Sequence, residues 1–142
     1  MSEIVNNQTN YGIPKQELES FVQCAIPLLP EGSRTSVSIL ITTDEAIAVL
    51  NREYRGIDSP TDVLSFPSEP EEFENTDHLG DLVISVERAA LQALENGLSL
   101  EMELKQLVLH GLLHLCGLDH ESDNGEMNSF ELDLRDKLAI NL

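Results

Sequence analysis

Apolar and polar positions switch between two periods along the chain, and the switches mark its elements. Ser36-Val-Ser-Ile-Leu-Ile41 is β-branched and partly alternating, which predicts a strand. Two short apolar runs predict two more, Asp62-Val-Leu-Ser-Phe66, ended by Pro67 and read as buried, and Asp81-Leu-Val-Ile-Ser-Val86 after Gly80. Glu3 to Gln8 suits an edge strand. Helical spacing fills the intervals. One helix runs from Pro14, acceptable in a first turn, to about Leu28 before Pro30-Glu-Gly. A second starts at the N-cap Thr43, carries Asp44 and Glu45 near its positive end, and reaches about Tyr54, with Arg52 and Arg55 at its C-terminal end. A third spans Glu87 to Glu95 and closes at Asn96-Gly97, and a fourth, capped by Ser99, continues to Gly117. Ser122 or Asp123 caps a last helix with an apolar stripe of Met127, Phe130, Leu134 and Leu138. Gly56 to Pro60 reads as a turn, and the acidic stretch from Ser68 to Asp77 as a loop with His78 beside it, solvent-exposed. The succession predicts a small mixed sheet of about four strands covered mainly by helices.

Length and charge narrow the function. A chain of 142 residues fits one domain, residues 1–142. No apolar run approaches a membrane span, and the start lacks the basic and apolar regions of a secretory signal, so a cytoplasmic protein is expected. Cys24 and Cys116, far apart in sequence, agree with a reducing compartment. The net charge of −18 predicts repulsion from nucleic acid and anionic membranes unless a few of the eight basic residues gather at one site. Contact with DNA or membrane is not expected, and any RNA contact must be local.

The chemistry lies in His110-Gly-Leu-Leu-His114-Leu-Cys-Gly-Leu-Asp-His120, which holds three of the four histidines. Residues i and i+4 share a helix face, so His110 and His114 can present nitrogens to one ion about 2 Å away. Gly117 is a natural helix stop, after which the chain can swing His120 to the same ion. Three imidazoles without a fourth protein ligand describe an open, catalytic zinc site rather than a closed structural one. Cys116 falls on the far side of the helix and reads as a core thiol. The spacing also matches the metzincin protease pattern H-E-x-x-H-x-x-G-x-x-H, except that Gly111 replaces the glutamate that serves as general base. Gly111 either keeps space for a substrate phosphate or lets the helix pack closely on the sheet.

Two further segments, Leu50-Asn-Arg-Glu-Tyr-Arg-Gly-Ile-Asp-Ser-Pro-Thr-Asp-Val-Leu-Ser-Phe-Pro67 and Leu79-Gly-Asp-Leu-Val-Ile-Ser85, stand beside the histidine run. Together the three resemble the YbeY family of endoribonucleases, the rRNA maturation factors, over about residues 35 to 125. The resemblance implies an α+β fold with a metzincin-like metal cleft and one Zn2+ ion held by His110, His114 and His120. It implies cleavage of single-stranded RNA, with Arg55 taking part. It further implies maturation of the 3′ end of small-subunit (16S) rRNA and late-stage ribosome quality control, with rRNA precursors, the small subunit and its proteins as partners. Cys116 and Leu118 depart from the family pattern without removing a ligand. Arg55 suits the role chemically, because a guanidinium offers paired donors matched to a phosphate. Asp62, Asp81, Asp119 and Glu121 are candidates to orient ligand histidines. Two other readings are a zinc metallopeptidase, favoured by the spacing and opposed by Gly111, and a non-catalytic ribosome-assembly factor.

Overall fold

The computed structural model describes residues 3–29, 35–68, 78–117 and 133–134. Four strands, β1 (Glu3–Asn6), β2 (Ser36–Thr42), β3 (Val63–Pro67) and β4 (His78–Ser85), form one sheet in the order β1-β2-β4-β3. β1, β2 and β4 run parallel, and β3 lies antiparallel on β4. Among the described residues the helices α1 (Lys15–Ala25), α2 (Asp44–Arg55), α3 (Val86–Asn96) and α4 (Leu100–Leu115) accompany them. The fold is therefore α+β, with the mixed sheet of four strands expected from the sequence.

Alternation along the strands divides the core. Val37, Ile39 and Ile41 of β2 and Leu82 and Ile84 of β4 point to the face that packs with α1 and α4, in a cluster that includes Phe21, Leu104 and Leu112. Their neighbours Leu40 and Val83 point to the opposite face and meet Ile47 and Leu50 of α2 together with Leu64 and Phe66. Burial of a Leu or Ile side chain contributes roughly 1.5–3 kcal/mol, so the first cluster dominates stability. Leu134, from the stripe expected of the last helix, is helical and buried in it. The remainder of that helix lies outside the described residues, as does the acidic stretch from residue 69 to 77.

Local signals set most boundaries. The hydroxyls of Thr43, Ser85 and Ser99 accept hydrogen bonds from the amides of Ala46, Arg88 and Met102, each satisfying a donor in the first turn of a helix. Gly97 ends α3 in the left-handed region, at φ 68°. Three expectations are corrected. The first helix stops at Ala25, and Pro27 sits in a short 3-10 turn, Ile26–Leu28. β3 is an edge strand rather than a buried one, with Leu64 alone buried, Val63, Ser65 and Phe66 half-buried and Pro67 exposed, because nothing in a short apolar run specifies which strands flank it. β4 starts at His78, so this histidine is in the sheet, where its Nδ1 lies 3.3 Å from the Ser36 hydroxyl and its Nε2 2.9 Å from Asp81.

Candidate metal centre and adjoining groove

α4 is a helix held from several sides. It packs against α1, α3, β3 and β4, and ten of its sixteen residues are buried. Its remaining sector carries His110 and His114, both half-buried. One turn apart on this fixed helix, their Nε2 atoms lie 2.9 Å from each other, with ring centroids 4.5 Å apart and planes at 77°. The 2.9 Å approach is a hydrogen-bond distance; two nitrogens bound to one tetrahedral zinc at about 2 Å would stand roughly 3.3 Å apart, so a few tenths of an ångström of separation would turn the pair into two ligands of one ion. Cys116 follows on the core side of the turn, half-buried against the main cluster. Gly117 then takes φ 90°, the left-handed conformation expected where the chain turns out of the helix. His120, Asp119 and Glu121 lie outside the described residues.

Gly111 faces the sheet. A Cβ built there would come within 2.7 Å of Leu82 Cδ2 and 3.0 Å of its Cδ1, and Leu82 is fully buried on β4. Close packing explains this glycine. The space-keeping alternative has no support, since the room beside position 111 is occupied by the core.

Arg55 reaches the same region from the other face of the sheet. The N-terminus of α2 is tied to that of α3: Asp44 accepts hydrogen bonds from the Ser85 hydroxyl at 2.6 Å and Arg88 at 3.3 Å, and the Asp44 amide donates to Glu87 at 2.8 Å. At the other end Gly56 closes the helix at φ 70°, and Asn51, buried at 1% exposure, donates from Nδ2 to the Ser59 carbonyl at 2.9 Å. This pins the turn after Arg55. Asn51 and Ser85 lie inside the two quoted motif segments but were not assigned roles there; each is a polar residue where the apolar period requires burial. Arg55 itself is exposed, and among the described residues no carboxylate pairs with it.

A groove of about 560 Å³ joins the two faces around the β3 edge. It is lined by Tyr54 and Arg55 of α2, by Val63 to Pro67 of β3, and by His114 of α4. The hydrogen bonds Ser85 N to Asp62 O (2.9 Å) and Ser68 N to Leu79 O (3.2 Å) fix which residues of β3 face β4. By alternation Val63, Ser65 and Pro67 turn their backbone groups outward along the groove. Pro67 has no amide hydrogen, and the Val63 amide donates to Asp62 Oδ1 at 2.8 Å. Asp62, just before β3, also accepts from Thr61 and Gln92, and Asp81, within β4, is paired with His78.

The chain is similar to known proteins over most of its length. A family model described as endoribonuclease YbeY matches residues 3–139. A protein named endoribonuclease YbeY from Desulfitobacterium hafniense (strain Y51) is 46% identical over 123 residues, covering 80% of this chain and 78% of that protein. One of the same name from Sulfurovum sp. (strain NBC37-1) is 38% identical over 139 residues, 96% of this chain and 90% of its own. Among solved structures, the solution structure of TM1509 from Thermotoga maritima superposes with a TM-score of 0.64 at 26% identity, covering 97% of this chain and 89% of that one.

Proposed function

The chain belongs to the YbeY endoribonuclease family, and from that premise we propose that it is a zinc-dependent hydrolase that cuts single-stranded RNA at the groove beside β3. The observation that carries the reading is the meeting of Arg55 and His114 on one groove, brought from opposite faces of the sheet. His110, His114 and, from beyond the described residues, His120 would hold one ion. When bound, zinc supplies Lewis acidity at neutral pH. Arg55 binds the scissile phosphodiester through its paired donors and offsets the charge that grows on the phosphoryl oxygens. The mouth of the groove thus sets a cation against the backbone of a strand in a protein whose net charge of −18 repels RNA elsewhere. The family resemblance supports a place in maturing the 3′ end of 16S rRNA and in late-stage ribosome quality control, with rRNA precursors and the small subunit as partners. Among the described residues no helix is long and apolar enough to cross a membrane.

The peptidase reading loses ground on two counts. Position 111 is directed at Leu82, so the site lacks the base that the protease carries. The β3 edge also offers an extended peptide little to pair with, because Pro67 and the Val63–Asp62 hydrogen bond leave Ser65 as the one residue of β3 with an outward amide free of those two constraints. The decisive experiment is cleavage of a single-stranded RNA spanning the small-subunit 3′ end, with and without chelator and with zinc restored. Cutting that stops on chelation and returns with zinc supports the proposal. Undiminished cutting by chelated protein overturns the metal role, and intact RNA beside a cleaved peptide restores the peptidase.

A further inference from the structure

Tyr54 neighbours Arg55 in the sequence and lines the same groove, yet phosphate binding leaves it without a role. Its side chain is 66% exposed, unusual for a large ring. Phe66 of β3 meets it in an edge-to-face contact, with centroids 5.1 Å apart and planes at 69°. That contact accounts for at most one face of the ring. Core packing therefore explains where Tyr54 is held but not why so much of it stands in water at the groove.

We infer that Tyr54 is the platform on which an unpaired base of the substrate stacks, beside the phosphate held by Arg55, and that this contact selects single-stranded over paired RNA. The inference rests on the RNA reading above and names the residue that gives it strand selectivity. Aromatic rings bind single strands in this way because every unstacked base offers a π-face, whereas a base inside a duplex already has both faces covered. Phe66 steadies the ring, so little rotamer freedom is lost when the base arrives. Pairing a stacking ring with an adjacent guanidinium addresses base and backbone of one strand without reading its sequence.

The composition provides the assay. The chain has two tyrosines and no tryptophan, so the Tyr11→Phe protein emits from Tyr54 alone. On mixing with a short single-stranded oligoribonucleotide, before cleavage proceeds, its tyrosine fluorescence should be quenched. The same strand annealed to its complement, or made with abasic positions, should leave the emission nearly unchanged. Tyr54→Leu should raise KM for the single strand on the order of ten-fold with the loss falling on KM rather than kcat, and Tyr54→Phe, which keeps the ring, should restore KM. Emission that stays constant at saturating RNA while cleavage is normal overturns the stacking role and leaves the nuclease intact. An unchanged KM in Tyr54→Leu does the same. RNA that the wild-type protein neither binds nor cuts overturns both readings.

Discussion

The two walls of the groove reach it by different routes. α4 brings His110 and His114 from inside the fold, with ten of sixteen residues buried, whereas α2 brings Tyr54 and Arg55 from the surface, with only Ile47 and Asn51 of its twelve buried. On the metal side the geometry is imposed by packing: the 2.9 Å approach of the two imidazoles depends on a helix gripped by two other helices and two strands. On the phosphate side it depends on tethers at the helix ends, Asp44 with Ser85 and Arg88 at one and Asn51 with Ser59 at the other. Stability and site are thus coupled along α4 and largely separable at the end of α2.

Substitutions on the two walls should have separable effects. His114→Ala should abolish metal-dependent cleavage and lower the zinc content measured by atomic emission; a zinc-replete and active variant would remove α4 from the site. Arg55→Lys keeps the charge and loses the fork, and should slow cleavage on the order of ten-fold at unchanged zinc content, read from initial rates. Gly111→Ala gains about 1 kcal/mol of helix propensity but drives a methyl into Leu82, an overpacking that costs about 1–3 kcal/mol. The net expectation is a loss of about 1 kcal/mol in urea unfolding, with cleavage by the folded fraction retained. Asp44→Ala, which removes the carboxylate that holds Ser85 and Arg88 but keeps the amide bond to Glu87 and touches neither wall, should cost about 1 kcal/mol and weaken RNA affinity by less than the Arg55 change does.

What could be read in advance follows the same division. A spacing of four residues on a helix is local information, so the convergence of His110 and His114 was visible before any fold, as were the caps at Thr43 and Ser99. The edge position of β3 was not, because strand neighbours are set by pairing between distant segments and Val-Leu-Ser-Phe has the composition of a buried strand. His78 was misplaced for a related reason: acidic residues precede it, and its strand character comes from pairing with Ser36 across the sheet. Gly111 could be recognised as a departure from the protease pattern, but a glycine has no side chain whose polarity shows which way it faces. The significance of Arg55 came from the motif around it, since a helix-end cation by itself has an ordinary electrostatic explanation.

In the proposed function a histidine pair fixed by the core and an arginine presented from the surface act on one phosphodiester. Cleavage of single-stranded RNA by wild type and Arg55→Glu, measured on preparations with equal zinc content and equal melting temperature, tests it most directly. A loss of about 100- to 1,000-fold in kcat/KM is expected, the range for removing one donor that stabilises transition-state charge. Equal rates in the two proteins would contradict it.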